Sequence, residues 1–462
     1  MNLGAQRLTR RILRKAHNWS QALSDVNLEN DTDQICEDWL SLVKSKDTSS
    51  SPPHLPDLIG ITSRKLRNVL SKRGLEGRTF NLFRDLRERE TYTKEEFVGI
   101  IEKQSDFEQQ RILNGLVNNL KVTDWESFEK SCEEIFDEVR DLEIDQSSKL
   151  DCSIIDRNGK VKICRLPDYI PQLSEVDTSL FAVSICTVDG QRMHLGDSDI
   201  YYTMQSTSKP YTYGITHAAL DDVLHEFVGH EPSGQAFNKI ILDNQGRPFN
   251  PMINMGAIMT CSLVHHEQPL SHRFNYFLEH YKKLTGSRST LSCNMPVYKS
   301  ELEVGFMNKA AVNYMMTMGC WKGMIQSEEQ LLKNLDLYYQ LCSIEVTTEI
   351  QSIMSACLAN RGINPITGES VLPIRSVKRA LSLMFTCGMY DYSGRFAFKY
   401  GVPAKSGVSG VTDVVIPGVL SMTIYSPWLS IHSSSSLLGL QFIDGFIKKF
   451  PYHVFDSRQY AK

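Results

Sequence analysis

The sequence predicts an α+β protein in which a small all-helical domain precedes a larger domain with a large helical portion. Strand-like segments rich in β-branched and apolar residues lie at 180–187 and 411–426, near the two ends of the larger domain. Helical periodicity dominates between them, from about residue 238 to 389, and also covers residues 58–142. Because strands and helices form separate runs along the chain, we expect an α+β architecture.

The composition excludes several classes of protein. The 462 residues are 41% apolar and 23% charged, which indicates a globular chain. The net charge of -4 gives no electrostatic basis for binding nucleic acid, so we expect none. No apolar run approaches the ~18 residues that cross a bilayer, so no transmembrane segment is predicted. The eleven cysteines are scattered without a C-x-x-C pair, which indicates neither a disulfide framework nor a zinc ribbon and favours a reducing compartment.

Residues 1–57 are predicted to be a transit-like segment followed by a linker. Five basic residues, from Arg7 to Lys15, occur before the first acidic residue at Asp25. Wound as a helix, they share one face, and apolar side chains fill another. An Arg-rich, acid-free amphipathic start is typical of a mitochondrial transit peptide, although a solvated basic tail and a membrane-surface helix are alternatives. The Ser/Pro cluster that ends this segment cannot continue a helix and is predicted to be the linker.

The remaining chain is predicted to divide into four segments: a helical domain at 58–150, a second linker at 151–165, a larger domain at 166–452 and a tail at 453–462. The helical domain ends in an acidic amphipathic helix, whose carboxylates we interpret as a solvated face. The turn signal D-R-N-G marks the second linker.

The elements of the larger domain follow in order. Asp189-Gly190 is a hairpin turn signal, so the strand at 180–187 should return as a second strand. A helix is expected from about Ser206 to Leu220. Near the end of the domain, Pro417-Gly418 separates two strands, and a run of serines caps a closing helix.

Ser206 and Lys209 are the first candidates for chemistry. A serine one helical turn before a lysine places hydroxyl and amine on one face, so the amine can take the serine proton. The S-x-x-K pattern alone has little specificity, because it also occurs at Ser41/Lys44 and at Ser127/Lys130. Only Ser206 lies at a predicted strand-to-helix junction, where a helix N-terminus offers positive potential and free N–H groups to an oxyanion.

A second motif, Lys405-Ser406-Gly407, lies about 200 residues after Ser206 and directly precedes a strand-like segment. Serine hydrolases of the β-lactamase and penicillin-binding type combine S-x-x-K on a helix with K-[ST]-G on a strand of the same cleft, in this order. Burial and a nearby second cation would both lower the pKa of Lys209, which must be neutral to act as a base. The histidines at 225 and 230 are spaced i, i+5, so they do not form a zincin motif.

A longer set of motifs makes the match specific. The runs are DYIPQL, SICTVDGQR, QSTSKP, VGHEPSGQAFNK, NPMINMGAI, LCSIEVT, ANRGINPITGE, CGMYDYSGRFAF and GVPAKSGVSG, spread from about Asp168 to Leu429. In this stretch the sequence closely resembles the glutaminase family, in particular animal kidney-type enzymes, here without C-terminal ankyrin repeats. The resemblance implies a β-lactamase/transpeptidase-like serine hydrolase domain behind a helical N-terminal domain.

The resemblance also assigns roles to individual residues. It implies that Ser206 is the nucleophile, Lys209 its base, and Tyr390 a proton shuttle to the leaving amine. The backbone N–H groups of Ser206 and Val408 would bind the oxyanion. The implied substrate-binding residues are Tyr169, Gln205, Asn254, Glu301, Asn308, Tyr338, Tyr390 and Val408. Met307 and Val411 depart from the family pattern, which usually has arginine and glycine at these positions.

The function implied by the resemblance is hydrolysis of L-glutamine to L-glutamate and ammonia through a Ser-linked glutamyl intermediate. No cofactor or metal is expected, and inorganic phosphate is the implied activator. The family further suggests a homotetramer that can stack into filaments, and residence in the mitochondrial matrix. Two alternatives stay open: a catalytically silent assembly module with this fold, and a hydrolase of another amide.

Overall fold

The computed structural model describes residues 61–86, 91–92, 100–101, 103–116, 119–156, 158–233, 240–287, 290–431 and 433–456. The transit-like segment, the Ser/Pro linker and the Ser41/Lys44 motif lie outside the described residues, as does the tail from 457 onward. By its internal contacts the chain divides into two compact units, residues 1–128 and 129–462. The two units are described separately below.

The described residues of the first unit are mostly helical. Their helices include α1 (Ser63–Lys72), α2 (Leu82–Asp85) and α3 (Asp106–Leu116), with a short 3-10 turn at Gly77–Thr79. Buried apolar side chains between residues 66 and 120, such as Leu70 and Leu82, form its core. The expectation of an all-helical domain is wrong in one detail, because β1 (Ile61–Thr62) pairs antiparallel with β2 (Thr91–Tyr92). Both segments contain β-branched residues, which favour extended backbone.

The second unit contains the remaining strands. They are β3 (Ile144–Gln146), β4 (Asp151–Ile155), β5 (Val161–Arg165), β6 (Ala182–Thr187), β7 (Arg192–Gly196), β8 (Tyr202–Thr203), β9 (Ser292–Cys293), β10 (Ile344–Val346), β11 (Ala404–Ser406), β12 (Val411–Ile416), β13 (Leu420–Tyr425) and β14 (Leu429–Ser430). The main sheet is antiparallel with the order β11-β12-β13-β6-β7. The hairpin β6–β7 and the pair β12–β13 confirm the strands that the two turn signals predicted.

The prediction of a linker at 151–165 is wrong. These residues form the antiparallel hairpin β4–β5, which joins β3 and β14 in a four-stranded sheet. Cys152 and Cys164 lie directly opposite each other and form a disulfide, whereas the scattered cysteines predicted none. In both strands buried residues alternate with more exposed ones. The sequence of β5 hides this pattern, because its apolar residues Val161 and Ile163 are the exposed ones.

Helices form most of the second unit. The helix α4 (Trp125–Arg140) begins before the division between the units, and the others are α5 (Pro171–Ser174), α6 (Lys209–Leu220), α7 (Asn254–Leu263), α8 (Leu270–Leu284), α9 (Met295–Val304), α10 (Phe306–Thr317), α11 (Glu328–Cys342), α12 (Thr348–Ala359), α13 (Ile374–Cys387), α14 (Ser393–Tyr400) and α15 (Leu437–Lys449). The predicted serine cap of the closing helix is confirmed, since Ser436 accepts a hydrogen bond from the N–H of Gly439. Within the described residues, no helix is both long and apolar enough to span a bilayer.

Three helices are buried along nearly their whole length and position the site described below. They are α6, α7 and α12, and α12 lies against strands β6, β12 and β13 of the main sheet. Their small and apolar residues surround the helix axis on every side, which is the pattern of a helix inside a core. The serine-lysine motif at the start of α6 is therefore held in the interior.

The packing of α7 depends on a glycine. A Cβ atom on Gly256 would lie 1.8 Å from the carbonyl oxygen of Asn250, so only glycine fits there. We expect Gly256→Ala to lower the free energy of unfolding by about 1–3 kcal/mol, as overpacked sites do. Gly394→Ala is the matched control, because nothing lies within 4 Å of its added Cβ on α14, and a helical alanine should gain about 0.5–1 kcal/mol. Urea unfolding of both variants checks this, and equal stability changes would contradict the packing argument.

Candidate active site

Ser206 lies on a tight turn at the entrance to a buried helix. The chain leaves β8, forms a 3-10 turn at Gln205–Ser208 and continues into α6, with Pro210 in its first turn. Gln205 has a φ of 47°, a backbone conformation that costs energy for a residue with a side chain and that recurs at functional sites. The predicted junction of strand and helix is thus confirmed. The second S-x-x-K pair, Ser127/Lys130, lies exposed on α4.

Lys209 contacts the Ser206 hydroxyl from the protein interior. Its Nζ donates to Ser206 Oγ at 2.8 Å and to Asn254 Oδ1 at 2.8 Å. The side chain is 2% exposed, and this burial lowers the pKa of Lys209 to about 8, although the negative charge of Glu301 acts in the opposite direction. At a pH near neutrality a usable fraction of this amine is therefore unprotonated and can accept the serine proton.

Lys405 brings a second buried amine to the same place. It lies on β11, is fully buried, and its Nζ donates to the carbonyl oxygen of Ser406 at 2.7 Å. Burial, together with the charge of Lys209, holds the pKa of Lys405 well below its usual range. The two motifs that the sequence placed about 200 residues apart therefore meet at one site.

Asn254 is the centre of a hydrogen-bonded row beside the dyad. It is the first residue of α7, and its Oδ1 accepts from Lys209 and, at 3.1 Å, from the hydroxyl of Tyr338. Its Nδ2 donates to Asn308 Oδ1 at 3.1 Å, and Asn308 in turn donates to the hydroxyl of Tyr339 at 3.3 Å. Since each amide contact fixes the orientation of the next, the row presents a defined set of polar atoms.

A buried carboxylate lies on another side of the site. Glu301 on α9 is 6% exposed, and its Oε1 accepts from the hydroxyl of Tyr169 at 2.8 Å. Burial raises the pKa of Glu301, while hydrogen bonds from Tyr169 and Gln205 and the charge of Lys209 oppose this rise. Such a carboxylate with a hydroxyl and an amide beside it suits a bound ammonium group.

Tyr390 lies on the strained entry to another 3-10 turn, with a φ of 51°. Lys405 Nζ lies 4.5 Å from the centre of its ring. Burial raises the pKa of Tyr390 to about 12, and a hydrogen bond with Ser206 partly offsets the rise. The phenol is therefore protonated at neutral pH and can donate a proton at the nucleophile.

These side chains surround one cavity of about 590 Å³. Lys209 lies behind the wall and is hydrogen-bonded to Ser206 and Asn254. The predicted residues on the wall are Tyr169, Gln205, Ser206, Asn254, Glu301, Asn308, Tyr338, Tyr390 and Val408. The sequence interpretation missed other wall residues, including Tyr339, Cys342 and Ser434. Ser434 has a φ of 48° but lies in a serine run that predicted only a helix cap, and a tertiary fold was needed to find it.

Part of the segment 237–247 lies outside the described residues, but Ile240 lies on the cavity wall. One group of possible metal ligands occurs among the described residues, formed by His217, Asp221 and Asp222. Arg375 already pairs with both of these carboxylates, so this group gives no reason to assign a metal.

The burial of Lys209 predicts the pH dependence of serine reactivity. We expect the rate at which p-nitrophenyl acetate acetylates Ser206 to rise about tenfold per pH unit below the lysine pKa and to level off above it, with the midpoint at about 8. Lys209→Arg is the control, because a guanidinium stays protonated and the rate should be low and flat. Mass spectrometry of the acetylated peptide measures the rate. A midpoint near the ordinary lysine value of 10.5 would contradict the argument.

Comparisons with known proteins place this geometry in a family. The model of the glutaminase family matches residues 164–455. The chain is 39% identical to the mitochondrial liver isoform of glutaminase from Rattus norvegicus, over 74% of this chain and 52% of that protein. It is also 39% identical to a glutaminase of Trichormus variabilis, over 68% of this chain and 93% of that protein.

Solved structures agree with the sequence matches. The probable glutaminase ybaS superposes with a TM-score of 0.62 at 28% identity, over 72% of this chain and 99% of that one. The chain spans about half the length of the animal relatives that it matches. The agreement of family model, relatives and structures shows that the chain belongs to the glutaminase family.

Proposed function

We propose that this protein hydrolyses L-glutamine to L-glutamate and ammonia through a glutamyl ester on Ser206. The observation that carries this proposal is the 2.8 Å contact between Lys209 Nζ and Ser206 Oγ, with the serine on the wall of a cavity that also holds Glu301. The match to the glutaminase family supports the reaction class. The retained set of polar side chains argues against a silent assembly module, which has no need of a buried amine or carboxylate.

The first step of the reaction forms a tetrahedral intermediate, whose collapse with loss of ammonia gives the ester. Unprotonated Lys209 takes the proton of Ser206, and the serine oxygen attacks the side-chain amide carbon of the substrate. The developing oxyanion lies near the start of α6 and receives hydrogen bonds from the N–H groups of Ser206 and Val408. Among the backbone hydrogen bonds of the described residues, none uses the N–H of Val408.

The remaining steps release the products. Tyr390, which is protonated at neutral pH, donates to the leaving nitrogen, and ammonia departs as the carbon–nitrogen bond breaks. The protonated Lys209 then transfers its proton to the Tyr390 phenolate, which restores both groups. Water then attacks the ester with Lys209 again acting as the base, and L-glutamate and free Ser206 are regenerated.

Substrate choice follows from the charges of a free α-amino acid. The carboxylate of Glu301, with the Tyr169 hydroxyl, suits the substrate ammonium group. The amide and hydroxyl groups of Asn254, Asn308 and Tyr338 suit its carboxylate. This pairing favours a free amino acid over a β-lactam or a peptide amide.

The finer fold assignment is also a proposal. We infer that the domain predicted at 166–452 is the catalytic domain, that it has a β-lactamase/transpeptidase-like serine hydrolase fold, and that it follows a mostly helical N-terminal domain in the chain. Support comes from the family match at 164–455 and from the buried helix that carries S-x-x-K next to the edge strand β11 that carries K-S-G. That arrangement is the one associated with these hydrolases.

Assembly, activation and location rest on the family resemblance. We propose a phosphate-activated homotetramer, able to form filaments, in the mitochondrial matrix. The exposed apolar side chains of Phe306 and Met307, 70% and 62% exposed, support self-association near the cavity. The basic leader and the mitochondrial rat relative support the location. Light scattering with and without phosphate measures the molar mass of the assembly, and we expect the mass of a tetramer.

The first test is turnover of glutamine by the full chain, with and without phosphate. We expect ammonia release from L-glutamine and no hydrolysis of a β-lactam. Ser206→Ala should lose at least about 1,000-fold in turnover because the nucleophile is removed, a change that costs a serine protease about a millionfold. Ser127→Ala, in the exposed S-x-x-K pair, is the matched control and should be fully active. If the correctly assembled parent released no ammonia at any phosphate concentration, the silent module would become the leading interpretation.

The second test concerns the buried carboxylate. Glu301→Gln should raise the KM for glutamine roughly ten- to hundredfold, because a charged hydrogen bond to the substrate ammonium is lost. It should also move the pH profile of kcat/KM to lower pH, since the charge of Glu301 raises the pKa of Lys209. Glu303→Gln, an exposed position on the same helix, is the control. An unchanged KM in the Glu301 variant would remove this residue from substrate binding.

A further inference from the structure

A buried carboxylate lies behind the catalytic turn and has no role in the mechanism above. Asp413 on β12 is 1% exposed. Its Oδ2 accepts a hydrogen bond from the Tyr211 hydroxyl at 2.8 Å and another from Gln351 Nε2 at 2.7 Å. Its Oδ1 accepts from the Thr423 hydroxyl at 2.6 Å. A buried carboxylate persists in a core only when such donors surround it, so this network is a specific feature of the fold.

Two arms of the network lead to the catalytic segment. The Gln351 amide that binds Asp413 also donates to Thr207 Oγ1 at 2.7 Å, and Thr207 directly follows the nucleophile in the chain. The other arm ends at Tyr211, two residues beyond Lys209 on α6. The arms therefore reach residues 207 and 211, on either side of the base.

The donors and acceptors of this network have only one consistent arrangement. The Thr207 hydroxyl donates to the carbonyl oxygen of Met204 at 2.7 Å, so towards Gln351 it can only accept. Gln351 must then turn its NH₂ group to Thr207 and Asp413, and its Oε1 accepts from the Tyr202 hydroxyl at 3.0 Å. Both N–H groups of the Gln351 amide therefore donate hydrogen bonds, one to Thr207 and one to Asp413. The second bond requires a hydrogen-bond acceptor at residue 413.

The other end of the network is fixed in the main sheet. Asp413 lies opposite Thr423 of β13 and opposite Lys405 of β11 in the strand register. Strand β12 is paired on both sides, so the carboxylate has little freedom to move. Burial raises the pKa of Asp413 to about 6, and hydrogen bonds from its neighbours oppose the rise, so the group is mostly ionised above that pH.

We propose that Asp413 is a positioning residue that ties the turn carrying Ser206 and the first helical turn carrying Lys209 to the main sheet through Gln351 and Tyr211. This inference rests on the proposed function for the reaction that it affects. It requires a hydrogen-bond acceptor at residue 413 and not a negative charge, because both arms end on one oxygen. The substrate-binding residues Glu301, Asn308 and Tyr338 lie on other helices, and only Gln205 shares the tied turn. Loss of the tie should therefore lower kcat more than it raises KM.

The test compares three substitutions in the full chain, by kcat and KM for glutamine. Asp413→Leu removes the acceptor, and kcat should fall roughly ten- to hundredfold, as expected when catalytic groups are misplaced by about 1 Å. Asp413→Asn should restore kcat to within about threefold of the parent, since its carbonyl oxygen can serve both arms and its NH₂ can donate to Thr423. Thr423→Val is the matched control, because it removes a hydrogen bond of similar burial on the oxygen that faces away from the arms, and kcat should stay within about twofold.

Other outcomes are decisive as well. If Asp413→Leu fails to fold, Tyr211→Phe cuts one arm while keeping the ring, and a several-fold loss of kcat with a smaller rise in KM is expected. The rate of acetylation of Ser206 by p-nitrophenyl acetate is compared among the same variants. This measurement needs no glutamine, so it tests the positioning of Ser206 and Lys209 even if the proposed substrate is wrong. A leucine or phenylalanine variant with parental kcat and acetylation rate would overturn the proposal. So would an equal loss in Thr423→Val, which would indicate a general cost of disturbing the core.

Discussion

The amine of Lys209 lies in the protein interior, where its contacts among the described residues are a hydroxyl and an amide oxygen instead of a carboxylate. Water would stabilise the ammonium form of a lysine, and so would a carboxylate in contact. Here burial excludes water from the amine, and the nearest hydrogen-bond partners of the amine are uncharged acceptors. The pKa of Lys209 therefore falls to about 8, and the amine can act as a base towards Ser206. The function proposed for this chain depends on that one desolvated group.

The surrounding architecture excludes water from the amine and holds it beside Ser206. Helix α6 is buried along most of its length, so its first turn places Lys209 inside the core while Ser206 reaches the cavity. The edge strand β11 brings Lys405 beside the ring of Tyr390. Gln205 and Tyr390 both have positive φ values, and such strained backbone persists only where the surrounding structure holds it. Both segments that present the nucleophile and the proton donor thus carry strained backbone.

The sequence predicted those parts of the fold and site that depend on local patterns. The hairpin at Asp189-Gly190, the strands around Pro417-Gly418 and the serine cap of α15 are local signals, and all three are confirmed. The family resemblance that the motifs carry also predicted many of the residues that the fold gathers around the cavity, but not Tyr339, Cys342 or Ser434. The hairpin at 151–165 was missed because its alternation is short and a turn signal dominated it. The network joins Asp413 on a strand to Gln351 and Tyr211 on two helices, 62 and 202 positions away, and no local spacing reveals such contacts.

A direct titration of Lys209 tests the central claim. Lysine labelled with 13C at Cε in the full chain can be followed by NMR over a range from about pH 6 to about pH 11, and the signal lost in Lys209→Arg identifies the residue. The account predicts a single titration with a midpoint at about 8, well below the ordinary lysine value of 10.5. A midpoint for Lys209 at the ordinary value would show that the amine is charged when the enzyme works, and it would contradict a mechanism in which this lysine is the base.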